Sequence, residues 1–128
     1  MIQILYDHGH RRFGENYYQE LVEKSKILPK DIEWHFIGHL QSSKASKILR
    51  EIPNLHTIET VESINLANKL NNACIIQNRN LNIYLQIKTS NEDSKSGIDG
   101  IDDIINIIQY IIFNCKNLKL TGLMTIGA

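Results

Sequence analysis

The sequence predicts a parallel α/β fold, either a small open sheet or a slice of a (β/α) barrel. Three observations predict it. Helical and strand-like apolar patterns alternate along the chain, and strict alternation with short loops implies parallel strands joined by helical crossovers. The stretch Trp34-His35-Phe36-Ile37-Gly38-His39-Leu40-Gln41 reads as a strand buried on both faces that runs into a polar tip, with a helix pattern directly after it. About five strands can be found, whereas a closed barrel needs about eight and typically about 250 residues. At 128 residues the chain amounts to one domain at most, 1–128.

Residues 2–8 read as the end of a helix with Ile2, Leu5 and Tyr6 on one face, and Gly9 fits the position just past it, where a left-handed backbone is cheap for glycine. His10 to Asn16 is a short strand and its exit. Tyr17 to Leu28 is helical, with Tyr18, Leu21, Val22 and Ser25 sharing a face, and Pro29-Lys30 ends it. Glu33 to Leu40 is the next strand. Lys44 to Glu51 is a short helix with Ser42 or Ser43 as its N-cap. Leu55 to Glu59 is a strand, and Thr60 can cap a helix running from about Val61 to Gln77. Leu81 to Ile87 alternates apolar and polar and ends in Lys88-Thr89-Ser90; a polar loop, Asn91 to Gly97, follows. Asp102 to Cys115 is the clearest helix, with Ile101, Ile104, Ile105, Ile108, Ile111 and Ile112 at three- and four-residue steps and acidic residues at its start. Leu118 to Ile126 is the last strand.

Composition narrows the function classes. The formal net charge is zero, which removes the electrostatic case for nucleic acid or an anionic membrane. No apolar run approaches the roughly 18 to 20 residues of a membrane span. The N-terminus lacks the basic-then-apolar layout of a signal peptide. Cys74 and Cys115 show no metal or redox spacing and read as buried free thiols. A cytoplasmic protein is the expectation.

Ligands of parallel α/β folds bind at the C-terminal ends of the strands. Those ends carry Glu15-Asn16, Gly38-His39-Leu40-Gln41, Glu59-Thr60, Lys88-Thr89-Ser90 and Met124-Thr125. His35 and His39 are four apart, and a metal pair there would need a third ligand from another loop. Core or rim histidines are the better reading, so no metal is expected. His8 and His10, flanking a glycine, fit capping or surface roles. Lys95 could bind an anion or an aldehyde. Lys88 ends a buried strand, where desolvation would make an amine nucleophilic, although a solvated head on a buried stem is the ordinary outcome. Asn16 suits either a ligand hydroxyl or a helix cap.

Four stretches together resemble one known family: Arg12-Phe13-Gly14-Glu15-Asn16-Tyr17-Tyr18-Gln19-Glu20, Trp34 to Gln41, Ser94-Lys95-Ser96-Gly97, and Gly122-Leu123-Met124-Thr125-Ile126-Gly127. Their order and spacing are similar to the pyridoxal 5′-phosphate homeostasis proteins over essentially the whole chain. The resemblance implies a parallel-strand barrel of the alanine racemase N-terminal type, here an incomplete slice of about five strands lacking the first strand and the last ones. It implies a non-catalytic protein that binds pyridoxal 5′-phosphate as a Schiff base and serves intracellular cofactor homeostasis.

By the same resemblance, Asn16, Lys95, Met124 and Thr125 would line or approach the cofactor. The family's Schiff-base lysine lies in a Val-Ser-Lys motif on a strand expected before Met1, and its phosphate cup is expected after Ala128. Lys88 stands where the family usually has Asn. The chain is therefore expected to be a fragment, and loss of cofactor binding is one expected outcome. Two alternatives accompany it: a fragment of a racemase- or decarboxylase-like enzyme using the same cofactor, and a barrel remnant that binds none. Two exposed sheet edges would invite self-association.

Overall fold

The computed structural model describes residues 1–88, 98 and 100–125. Ten main elements follow one another: α1 (Ile2–Asp7), β1 (Arg12–Glu15), α2 (Tyr18–Ile27), β2 (Glu33–Phe36), α3 (Ala45–Glu51), β3 (Leu55–Val61), α4 (Ile64–Ile76), β4 (Leu81–Ile87), α5 (Ile101–Asn114) and β5 (Leu118–Thr125). The strands form one sheet in the order β1-β2-β3-β4-β5. Every neighbouring pair is parallel. The predicted α/β alternation and parallel pairing therefore hold, with each strand beside the next in sequence, as in an arc of a (β/α) barrel.

The pleat sends successive side chains to opposite faces. One face carries Trp34, Phe36, Ile58, Ile83 and Leu85, packed with Leu21, Leu49, Leu66, Leu70 and Ile111 of the helices into one apolar core. Trp34 is 0% exposed. The other face carries polar side chains, which corrects the expectation that the Trp34–Gln41 strand is buried on both faces: β2 alternates half-buried and buried positions. A one-sided pattern is unusual for parallel strands, which ordinarily read as continuous apolar runs. Here the second face is a polar floor.

β2 also stops at Phe36, four residues before the predicted end. Gly38 explains the stop. A Cβ built on Gly38 would overlap the Asn16 carbonyl oxygen, so the chains leaving β1 and β2 touch backbone to backbone. The contact is fixed on the far side, where the Thr60 hydroxyl donates to the Gly38 carbonyl at 2.7 Å. Thr60 consequently lies inside β3 and is not a cap. Ser63 caps α4 instead, its hydroxyl oxygen accepting from the Leu66 N–H at 3.0 Å. Neither Ser42 nor Ser43 caps α3: both sit in a 3-10 turn, Ser42–Lys44, with no side-chain cap bond, and the Ser42 hydroxyl oxygen accepts from Asn65. The N-terminal expectation holds, since Gly9 follows the end of α1 with φ +98°.

Arg79 ties three elements together. Its guanidinium donates to the carbonyls of Leu49 (3.0 Å), Ile52 (3.4 Å) and Leu55 (2.7 Å). These acceptors span the last turn of α3 and the start of β3, where unpaired helix carbonyls gather negative charge. Asn71, buried on α4, accepts from the Asn117 N–H at 2.9 Å and sets where β5 begins.

The isoleucine stripe of α5 is only partly used. Ile107 and Ile111 are buried, but Ile101 is 72% and Phe113 71% exposed. The isoleucines form one broad stripe opposite Asp102, Asp103, Asn106, Gln109 and Asn114; one edge of that stripe packs, and the other, with Ile101, Ile105 and Ile112, stays exposed.

Two substitutions test this frame. Arg79→Ala should lower unfolding stability by about 2 kcal/mol, because three buried carbonyls lose a charged donor; an unchanged urea midpoint would contradict that role. Gly38→Ala should cost about 3 kcal/mol, since backbone stands against the new methyl and cannot rotate away. Thr60→Val, which removes one hydrogen bond without overlap, should cost about 1 kcal/mol in the same experiment.

Candidate functional site

The polar face of the sheet gathers side chains from four neighbouring strands. Arg12 on β1 donates to Glu33 on β2 at 3.1 Å. The other oxygen of Glu33 lies 3.2 Å from His56 Nε2 on β3. His56 Nδ1 lies 2.7 Å from the Thr57 hydroxyl. Asn82 on β4 donates to the His56 carbonyl at 3.2 Å. Two residues further along β2, His35 Nδ1 lies 2.9 Å from Glu59 Oε2. The rings of His35 and His56 stack, with centroids 5.4 Å apart and planes at 17°. Two imidazole–carboxylate pairs thus lie side by side across β2 and β3.

The register explains the stacking. His35 pairs with Thr57, after a shift between Trp34 and His35. That irregularity lets His56 and Thr57 both reach the polar face; both line, with Arg12, Asn82, Tyr84, Lys119 and Thr121, a cavity of about 370 Å³. Burial pushes the His56 imidazole below its usual value, against the pull of Glu33. A neutral His56 matches its partners, with Nε2–H donating to Glu33 and the Thr57 hydroxyl donating to Nδ1.

His35 is arranged differently. A carboxylate only accepts, so Nδ1–H donates to Glu59; in the neutral ring the lone pair is then on Nε2. That nitrogen is buried with no hydrogen-bond partner among the described residues. His35 lies one residue from the C-terminal end of β2, in the half of the sheet where ligands of parallel α/β folds bind.

The predicted rim residues are spread unevenly. Asn16 is exposed at the exit of β1. It does not cap α2, whose N-cap is Tyr17. Glu15 turns into the helix-facing layer, where Lys24 donates to it at 2.6 Å. Burial pushes that carboxyl up, but the Lys24 ammonium outweighs it and holds Glu15 below the usual carboxylate range. Met124 pairs in register with the buried Gln86, and Thr125 with Ile87, at the end of β5. Lys88 is half-buried just past β4, and its N–H donates to the Ile98 carbonyl at 2.8 Å. Lys95, with Ser94, Ser96 and Gly97, lies outside the described residues, as do Thr89 and Ser90.

His35 and His39 do not converge. His39 Nδ1 is 3.5 Å from Glu62, while His35 turns to Glu59. Among the described residues no group of three His, Cys, Asp or Glu side chains is placed to hold a metal ion. His8 Nδ1 donates to the Ile4 carbonyl at 2.8 Å at the end of α1, and His10 stands edge-on to Phe13. Both cysteines are free and buried; burial pushes the Cys74 thiol up to about 11, so it is an inert packing group. Sequence reasoning passed over Glu33 and His56. The signal that would have found them is polar residues at alternate positions of two adjacent apolar strands.

The chain matches the family model for the alanine racemase N-terminal domain over residues 1–128. It is 44% identical over 135 residues to the Homo sapiens protein named pyridoxal phosphate homeostasis protein, a match covering 100% of this chain and 48% of that one. The structure of an unknown protein from Bifidobacterium adolescentis superposes with a TM-score of 0.84 at 36% identity, covering 99% of this chain and 54% of the other. PipY of Synechococcus elongatus PCC7942, solved with PLP bound, gives a TM-score of 0.83 at 31% identity, covering 98% of this chain and 57% of PipY. The chain spans about half the length of the curated relatives it matches. With a matched domain, parallel strands in unbroken sequence order and the polar floor in place, the chain belongs to the alanine racemase N-terminal domain family.

Proposed function

We propose that this chain is a pyridoxal 5′-phosphate-binding protein of intracellular, cytoplasmic cofactor homeostasis, and that it performs no catalysis of its own. The observation that carries the reading is the half-buried imidazole of His35, fixed by Glu59 and bearing an unpartnered nitrogen on the polar face. A relative that shares this fold was solved with PLP bound, and curated relatives carry the homeostasis name.

The residues present fit the cofactor's ring better than its aldehyde or phosphate. The polar floor offers acceptors and donors at ring height: His35, Gln86 and, at the rim, Asn16. Met124, the register partner of Gln86, and Thr125, at the end of β5, are proposed for the β5 side. Among the described residues no lysine is buried; Lys88, just past the C-terminal end of β4, and, beyond the described residues, Lys95 are the amines proposed toward the aldehyde. The N-terminus of α4 spends its cap on its own Leu66 N–H. When bound, the cofactor supplies an electrophilic aldehyde and an electron-withdrawing ring. The chain's own part is to seat the ring and hold the Nε2 lone pair of His35 toward it.

The absence of catalysis is read from the curated relatives, which carry a homeostasis name and not an enzyme's. The Cys74 thiol is buried and raised, which makes it a poor acid or base for a substrate. We also propose self-association. β1 and β5 each use one side for pairing, and Ile101, Ile105, Ile112 and Phe113 on α5 are exposed beside β5.

Trp34 lies next to His35 in β2, so its fluorescence reports on the floor. Titration with pyridoxal 5′-phosphate should quench it saturably and reversibly on dialysis, with Lys88→Ala and Lys95→Ala each weakening binding by less than about tenfold. Absence of saturable quenching would overturn the binding reading. Racemisation of alanine by the chain with added cofactor would overturn the non-catalytic one. Sedimentation should give a mass that rises with concentration; a monomer throughout would rule out pairing.

A further inference from the structure

We infer that His35 and Glu59 form a positioning pair that accepts a hydrogen bond from the ring of the bound ligand: Glu59 fixes the proton on Nδ1, and Nε2 takes a donor from the ligand. The ligand class is a planar heteroaromatic ring bearing a hydroxyl or ring N–H donor, and the inference rests on the cofactor reading above.

Four observations lead there. Glu59 Oε2 stands 2.9 Å from His35 Nδ1, which selects the tautomer. The stacked His56 ring, itself held by Glu33 and Thr57, fixes the plane of the imidazole. Nε2 is then a buried acceptor with nothing to accept from, and an unpaired buried polar atom costs about 1 to 3 kcal/mol. A ligand donor recovers that cost, so the pair gains more from a matching ligand than a solvated imidazole would. Gly14, the register partner of His35 on β1, presents no side chain. Ile37 lies against Gly14, where a built Cβ would meet its Cδ1 at 3.3 Å.

Nε2 is closed to solvent, so a ligand reaches it by displacing a neighbouring side chain. Nothing in this arrangement transfers a proton: Nδ1 keeps its hydrogen, Glu59 stays a carboxylate, and the ligand's donor keeps its own. His35 and Glu59 are therefore positioning residues. They set the orientation of the ring and favour ligands that bring a donor over isosteres that do not.

The test uses the full 128-residue chain, labelled with nitrogen-15 in histidine. Without ligand, His35 should show the Nδ1–H tautomer with an unprotonated Nε2. Pyridoxal 5′-phosphate should shift the Nε2 resonance while Nδ1 stays protonated. Of two analogues, one lacking the ring hydroxyl and one N-methylated at the ring nitrogen, the one that removes the donor should fail to shift Nε2 and should bind about tenfold more weakly, the effect of one buried hydrogen bond. His35→Asn keeps an amide N–H for Glu59 and removes the acceptor at the Nε2 position, which the shorter side chain does not reach, so it should weaken the cofactor about tenfold with its melting temperature little changed. An Nε2–H tautomer in the free chain would overturn the inference whatever binds. Saturable binding with Nε2 unmoved, or with both analogues equal to the parent, would overturn it while leaving the cofactor reading intact. Absence of binding by the unsubstituted chain would overturn both.

Discussion

Trp34 and His35 are neighbours in β2, and the pleat of one strand sends them to opposite faces. That single alternation divides the molecule. Trp34 enters an apolar core shared with the helices, and His35 enters a polar floor with Glu59 and His56. A shift of one residue in register would exchange them, burying an imidazole under α2 and α3 and exposing an indole. The register is held from both ends. Backbone pairing joins Phe13 to Trp34 and Gly14 to His35, and the Gly38–Asn16 contact, fastened by Thr60, fixes where the strand stops. Core and site are consequences of one alignment.

The polar floor explains why a parallel sheet departs from the usual apolar run. Strands covered by helices on both sides need apolar residues throughout. Here β2, β3 and β4 keep apolar residues toward the helices and place Glu33, His35, His56, Glu59 and Asn82 on the other side. These groups satisfy one another across strands, which makes half-burial tolerable. Among the described residues His35 Nε2 is the exception in the floor, and an exception in an otherwise paired network marks where a ligand is proposed to sit.

Element order, strand parallelism and most helix positions were legible in the sequence because they rest on local periodicity. Boundaries were less so. The strand through Trp34 looked as if it ran to Leu40, and only the approach of Asn16, a long-range contact, ends it at Phe36. Thr60 and Ser63 are equally good caps by residue type; the hydrogen bond to Gly38 decides between them. Ser42 and Ser43 have the right chemistry for α3 but fall in a tighter turn. The α5 repeat fixed the helix and its apolar side, but the stripe is broader than the contact it makes, so which edge packs was not legible. For the site, the resemblance drew the eye to rim residues such as Asn16, Met124 and Thr125. The floor was harder to see: Glu33 and His56 are distant in sequence and meet only when β1, β2 and β3 line up.

The most direct test of where the cofactor sits is an amide chemical-shift map of the chain titrated with pyridoxal 5′-phosphate. If the ring lies on the polar floor, the shifts should concentrate at Phe36 to His39, Thr57 to Thr60, and Gln86 to Lys88, with the exposed side of α2 and the exposed isoleucines of α5 unmoved. Shifts confined to those helix surfaces, with β2 and β3 silent, would contradict the proposed site.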